Sequence, residues 1–467
     1  MASTIDNRSE QYRDTLGIVN KEGKRNWIYP KKPKGKLYRA RTLVSLLLLL
    51  FFFGAPFLRF NGRPVFLLNV PQRKFIMLGT IFGPHDFFLF LIGMIALVVF
   101  ALLFTVVYGR VFCGWVCPQT IFMEMVFRKI EYWIEGDASK QMQLNRSEWN
   151  SKKILKKTSK HIIFFTLSFI IANVFLAWII GTDELGKIIT DSPMKHLGGL
   201  TSIIVFTSAF YGVFAWFREQ ACILVCPYGR LQGVLLDQNS IVITYDYKRG
   251  EPRGRIRKAE NQNGKGDCVD CRQCVEVCPT GIDIRNGTQL ECINCTACID
   301  ACDYVMEKTG RPKGLIRYAS SKGISEGRRF TMTPKVIGYT TILIILIAAL
   351  SYMLATRTEY EISILRTPGL LSQVQPGGKI SNLYDIKINN KTFEEVPLSL
   401  RLRDMPGEIK IIGNQLTAIP QDITESKLLI LLDEGSLKGL STPIVIDIFS
   451  GSRKLDEIKT TFLGRLE

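Results

Sequence analysis

Twelve cysteines carry the most legible chemistry in this sequence, and they fall into three groups with none standing alone. Cys268, Cys271, Cys274 and Cys278 are spaced C-x2-C-x2-C-x3-C, with Pro279 next. Cys292, Cys295, Cys298 and Cys302 repeat that spacing 24 residues later. The likeness extends beyond cysteine, since Val269 matches Ile293, Asp270 matches Asn294 and Glu276 matches Asp300. Such a match marks an internal duplication. A four-iron cube needs four thiolates arranged around it. Three come from a tight loop, and the fourth must come from elsewhere in the chain. In the bacterial two-cluster pattern the last cysteine of each run serves the other cluster. One cluster is therefore expected on Cys268, Cys271, Cys274 and Cys302, and the other on Cys292, Cys295, Cys298 and Cys278. Structural zinc takes four ligands from two pairs and does not call for this arrangement. Asp303 stands where the first run has Pro279, which is expected to alter backbone and potential rather than ligation.

The other four cysteines form two C-x3-C-P motifs, Cys113/Cys117 before Pro118 and Cys222/Cys226 before Pro227. Each follows a long apolar run, with Arg110 or Arg218 just upstream. Within a helix, positions i and i+4 put both sulfurs on one face. Alternatively Cys117 and Cys226 cap new helices that begin at the prolines. A helix N-terminus lowers a thiol's pKa, and Arg110 and Arg218 are expected to help hold the negative charge. Soft thiolates suit Cu(I), zinc or iron–sulfur units, and a redox disulfide within each pair is a further option. Met123 and Met125 offer thioethers nearby, although packing is the commoner use of such residues.

The elements that hold these groups begin with membrane spans. A bilayer core of about 30 Å needs about 20 mostly apolar helical residues. Five segments qualify: 43–60, 87–108, 162–180, 200–217 and 337–355. The basic flanks at Lys31 to Arg41, Arg128 to Lys160, Arg249 to Lys258 and Lys308 to Arg329 mark the cytoplasmic side. This places the N-terminus and the ferredoxin segment inside, and the C-terminus outside. The polar start, Met1 to Asn26, lacks the apolar core and cleavage site of a signal peptide. After the fifth span, short runs with partial alternation are broken by Gly, Pro, Asn and Asp. They suggest an all-β, immunoglobulin-like sandwich of about 100 residues.

The domains expected are a cytoplasmic N-terminal segment (1–42), a four-span region with both C-x3-C-P motifs (43–236), a cytoplasmic ferredoxin-like domain (237–330), a fifth span (337–355) and a periplasmic β domain (356–467). The fold class is thus a multi-domain membrane protein: an α-helical bundle of five spans, a two-cluster ferredoxin-like insertion and a C-terminal β sandwich. The net charge of +18 lies beside the spans and comes with no nucleic-acid motif, so nucleic-acid binding is not expected. His85, His161 and His196 are scattered at span ends. No haem-attachment motif and no Gly-rich dinucleotide fingerprint occurs, so electrons must come from a separate donor.

These features together resemble the cytochrome c oxidase accessory protein family, known as CcoG, FixG or RdxA. The resemblance covers nearly the whole chain: five spans, both C-x3-C-P motifs, both ferredoxin runs and the outer β domain. It implies a protein of the bacterial inner membrane, embedded in lipid, that assists assembly of cbb-type cytochrome c oxidases. It implies an oxidoreductase that converts Cu(II) to Cu(I), with copper bound at Cys113, Cys117, Cys222 and Cys226. The partners it implies are a cytoplasmic electron donor, a copper chaperone or transporter, and the oxidase or its assembly intermediates. A homo-oligomer stays open. The competing expectations are a quinol-linked membrane ferredoxin conduit and a non-catalytic assembly factor. The absence of cysteine or haem motifs near the outer face weighs against the conduit, and eight cluster ligands weigh against the scaffold.

Overall fold

The computed structural model describes residues 22 and 24–464, apart from 61, 78, 84–85, 256–263, 328–332, 370–371, 377, 404, 414–415 and 438. His85, most of the polar N-terminal segment and part of the basic flanks therefore lie outside the described residues. Among the described residues, five helices are long and apolar enough to cross a bilayer, the fourth counted with the π-helical turn that carries it on to Phe217. They are α1 (Lys36–Gly54), α2 (Phe87–Tyr108), α3 (Ser151–Ile180), α4 (Leu197–Gly212) and α5 (Pro334–Ala355). The chain is a multi-pass membrane protein. Helix α3 starts well before its apolar run because Asn150 caps it, accepting a hydrogen bond from the Lys153 amide at 2.8 Å. The lysines that follow are good helix formers and carry the helix into the apolar stretch. Helix α1 stops where Pro56 enters a 3-10 turn, Ala55–Phe57.

The chain packs as two units, Met1–Arg59 with Leu91–Ala349, and Phe60–Phe90 with Leu350–Glu467. In the first unit, Pro118–Thr120, Ile121–Phe127 and Arg128–Ile134 run on as one helix with a π-helical middle. Of two more π segments, Val213–Phe217 precedes the second C-x3-C-P motif and Ala221–Val225 carries its first cysteine, Cys222. Such segments are rare and concentrate at functional sites. Phe127 anchors this region. Its ring stacks on Phe214 at 4.5 Å and meets Phe164 edge-on at 4.8 Å.

The ferredoxin part of the same unit is closed by an antiparallel pair, Val242–Tyr245 with Ile316–Ala319. Its longest helix, Ala297–Lys308, also holds the membrane part. Asp300 on that helix accepts hydrogen bonds from the Leu37 and Tyr38 amides, at 3.2 and 2.7 Å. A carboxylate from elsewhere in the chain thus caps the N-terminus of α1, where it complements the helix dipole. Gly35 lets it approach, for a Cβ there would lie 2.1 Å from Asp300 Cγ.

The second unit is a β sandwich. Its strands are β1 (Tyr360–Arg366), β2 (Gln373–Gln375), β3 (Lys379–Asn390), β4 (Ser399–Leu402), β5 (Gly407–Ile412), β6 (Ile423–Asp433), β7 (Ser441–Ser450) and β8 (Arg453–Leu463). One sheet runs β5-β6-β3-β1 with β2 beside β3, and the other runs β4-β7-β8. Both are antiparallel. Alternate residues of β3, β6 and β7 face inward: Ile386 and Ile388, Leu428 and Ile430, Ile446 and Ile448 are fully buried. The region 61–86, between the first two spans, contains a three-stranded meander of Phe66–Asn69, Lys74–Met77 and Thr80–Phe82. It ends at buried Asp86, which pairs with Arg357 at 2.8 Å and Lys391 at 3.0 Å.

Replacing Asp300 by Ala is expected to uncap α1 at a cost of about 1 kcal/mol. Hydrogen exchange at the Leu37 and Tyr38 amides should quicken. Unchanged protection there would show that the cap contributes nothing.

Candidate metal centres

The two ferredoxin runs fold into matching loops. Asp270 and Arg272 in the first, and Asn294 and Thr296 in the second, all take positive φ, at 48°, 58°, 52° and 66°. These are equivalent positions of the 24-residue repeat, so the duplication reaches down to backbone conformation. Left-handed residues are costly outside glycine. Placed between cysteines, they curl each loop tightly enough to turn successive thiols inward.

Two cavities result. Cys268, Cys271, Cys274 and Cys302 line one, closed by Tyr245, Met306 and Leu315. Cys278, Cys292, Cys295 and Cys298 line another, with Thr280 and Ile284. The groupings are those expected from the crossed pattern, and the donors fit a thiolate-held cube in each. Cys274 also borders the second cavity, which keeps the two close together. Arg285, almost fully buried, lines the first cavity and is held by Asp283 at 2.7 Å and Asp270 at 2.5 Å. Asp283 and Asp270 are both held below the usual carboxylate range; burial works against Asp283, while the Arg285 hydrogen bond is the main cause for Asp270.

The C-x3-C-P motifs take the second of their two expected geometries. Cys117 and Cys226 sit outside the helices that start at Pro118 and Pro227, and both prolines occupy the first helical turn. Pro has no amide to lose at that position. The two motifs lie near one another, although no three of the described His, Cys, Asp or Glu residues are grouped closely enough to hold a single ion. Cys113 feels the charge of Cys117 and Cys226, and Cys222 that of Cys117, Cys113 and Cys226. Burial, reinforced by the neighbouring thiols, pushes Cys113 up to about 11 and Cys222 up to about 12. Arg110 opposes the rise at Cys113, but desolvation of the charged form wins. A soft metal entering the site would displace these protons.

Arg110 also stitches the motifs together, donating to the carbonyl of Gly229 just past Cys226. Arg218 does something other than expected. It is buried, bonded to Glu131 and stacked over Trp27 at 4.5 Å, so its charge is committed away from the thiols. Gln232 is fully buried, and its Oε1 lies 3.5 Å from Cys113 Sγ. Its Nε2 has no partner among the described residues. Met123 and Met125 are buried, Met123 in the aromatic core, and Thr42 Oγ1 donates to Met125 Sδ at 3.8 Å.

The first motif is pressed against the second ferredoxin loop. A Cβ on Gly114 would fall 2.4 Å from the Ile293 carbonyl oxygen and 2.8 Å from that of Asn294. Cys113 packs on the apolar group formed by Val277, Ile293, Cys295, Ala297 and Ala301. Buried Arg41 donates from Nε to the Gly114 carbonyl at 2.6 Å and holds the loop from behind. Gly114, Arg41, Gln232 and Asn294 escaped the reading of the sequence. The glycine between two cysteines was the one available signal.

A model described as a 4Fe-4S dicluster domain matches residues 217–321, and one described as a 4Fe-4S binding domain matches residues 90–139. The Ig-like fold at the C-terminal of FixG matches residues 350–465. The chain is 32% identical to the nitrogen fixation protein FixG of Rhizobium meliloti, across 88% of this chain and 87% of that one. The chain belongs to the FixG family. It is also 32% identical to RdxB of Cereibacter sphaeroides, with 83% and 86% covered, and to RdxA of the same organism, with 79% and 80% covered. As a FixG-family chain it is an iron–sulfur redox protein with five apolar helices and an immunoglobulin-like β domain. The 90–139 match takes in Cys113 and Cys117, and the 217–321 match takes in Cys222 and Cys226.

Gly114→Ala should force the two loops apart, since the obstacle is backbone. A loss of about 1–3 kcal/mol is expected, read as a lower unfolding midpoint with iron content unchanged. An unaltered midpoint would mean that the loops are not in contact.

Proposed function

We propose that this FixG-family protein is a membrane cupric reductase that delivers electrons from two 4Fe-4S clusters to copper at Cys113, Cys117, Cys222 and Cys226. Cys268, Cys271, Cys274 and Cys302 hold one cluster, and Cys292, Cys295, Cys298 and Cys278 hold the other. When bound, the clusters supply electrons one at a time. The observation that carries the reading is the packing of Cys113 and Gly114 on the loop of Cys292 and Cys295. It brings the thiol group against one cluster cradle with no intervening layer.

The chain's own residues do the rest. The four thiols bind the copper ion, which is substrate. Cu(II) gains one electron there and becomes Cu(I), the state soft sulfur ligands favour. Arg110 offsets part of the negative charge that collects when thiolates bind. The basic flanks support a cytoplasmic position for the ferredoxin part and these thiols, with the β domain outside. The product serves a copper chaperone or transporter and, through it, a cbb-type cytochrome c oxidase under assembly. The β domain is a surface suited to that partner.

A second reading has a specific observation behind it. The 4Fe-4S binding match over residues 90–139 includes Cys113 and Cys117, and the four thiols would then hold a further cluster. Analysis of iron and acid-labile sulfide separates the two. Two clusters give about eight irons per chain and three give about twelve.

The protein, isolated without oxygen and with its clusters reduced, is expected to yield stoichiometric Cu(I) when Cu(II) is added. A variant with Ser at Cys113, Cys117, Cys222 and Cys226 should keep its clusters and lose this activity. Equal Cu(I) from both would show that the clusters reduce copper without the site.

A further inference from the structure

A groove of about 600 Å³ lies on the first unit between α3 and α4. Trp149, Ile154, Ile162 and Phe165 make its apolar walls, and Lys157, His161 and Tyr211 are the principal polar groups in it. His161 and Tyr211 are joined, ring Nδ1 to phenol oxygen, at 2.9 Å. The other ring nitrogen has no partner among the described residues. The groove sits where the basic start of α3 gives way to its apolar run, and Trp149 suits such an interface. A lipid-soluble molecule with a polar head would enter it sideways.

Behind the groove runs a buried chain of charges. Lys157 pairs with Glu135 at 2.9 Å, Lys160 with Glu135 at 3.0 Å and with Glu131 at 3.4 Å, and Glu131 with Arg218. Glu131 and Glu135 are almost fully buried. Ion pairs so deeply buried are costly and need not stabilise a fold, which argues for a use. The chain ends at Arg218, whose backbone leads directly to Cys222. Gln119, beside Cys117, reaches the Arg218 carbonyl at 3.5 Å. The chain thus links the groove to the segments that carry the membrane-edge thiols.

We propose that this groove binds the head of a membrane quinol, and that the quinol is the electron donor. The inference rests on the reading of the ferredoxin runs as resident clusters. His161 and Tyr211 hydrogen-bond the ring hydroxyls. Oxidation of the quinol to the quinone releases two electrons and two protons. The electrons pass to two one-electron acceptors, the iron–sulfur clusters of the chain. One proton goes to the free ring nitrogen of His161, and the other to water at the exposed mouth of the groove. A paired imidazole and phenol in an apolar groove matches a neutral, hydrogen-bonding ring. A phospholipid head would call for more than one lysine.

The first test needs no clusters. An azido-quinone photoprobe is added to the full-length protein in lipid nanodiscs, and labelled peptides are mapped. Label is expected in the segments carrying Trp149 to Thr166 and Tyr211. Tyr211→Phe and His161→Gln should each weaken its competition by decylubiquinol about tenfold, as loss of one hydrogen bond implies. In the cluster-loaded protein, decylubiquinol should bleach the cluster absorbance, and more slowly in both variants. Dithionite bleaching confirms that each preparation holds reducible clusters. Label elsewhere, or competition unchanged in both variants, would overturn the proposal, as would phospholipid competing equally. Failure of copper reduction alone would leave it standing.

Discussion

The close approach of Gly114 to the second ferredoxin loop is the contact on which the rest of this molecule depends. A side chain there would collide with two carbonyl oxygens, so the C-x3-C-P loop and the cluster loop meet backbone to backbone. Everything nearby serves that contact. Arg41 holds the Gly114 carbonyl, Arg110 ties the first motif to the second, and Asp300 fixes the start of α1 to the ferredoxin helix. Each reaches across a long span of sequence. The ferredoxin segment is therefore built into the membrane part, not hung from it.

The polar groups around the contact are buried and held by ion pairs, which sets them apart from ordinary surface pairs, yet several of them, the Arg128 guanidinium and Gln232 Nε2 included, have no hydrogen-bond partner among the described residues. Arg128 is almost wholly buried and lies 3.1 Å from Glu124 and 3.6 Å from Glu219. Arg25 reaches Glu219 at 3.0 Å. Desolvation opposes every one of these charges, and breaking one partner would strand another. Such a network constrains geometry more than it adds stability. The π-helical segments on either side fit this picture, since each trades regular hydrogen bonding for the placement of a side chain.

Much of this was legible in the sequence because the signals were local. Cysteine spacing specifies ligand loops through bond geometry, apolar run length specifies spans through bilayer thickness, and period-two alternation specified most β strands. Strand β8 escaped because Arg453–Leu463 is charged and half exposed, with only Phe462 fully buried at its end. The 61–86 meander escaped because its strands are too short to show a period. Arg218 was misassigned for a different reason. Proximity in sequence to Cys222 suggested an electrostatic partner, whereas the chain turns sharply there, with φ 51°, and carries the guanidinium to Glu131.

The raised thiol pKa values follow from the same burial that makes the contact. A thiol exposed enough to ionise freely would sit too far from the cluster loop to share its apolar packing. Cys113 instead lies among Ile293, Cys295 and Ala301 and stays protonated until something replaces the proton. A hard cation gains little from sulfur and would not offset the desolvation, whereas Cu(I) would. On the copper reading proposed above, a preference for a soft metal and closeness to the cluster loop would both follow from this one packed interface, with no separate device.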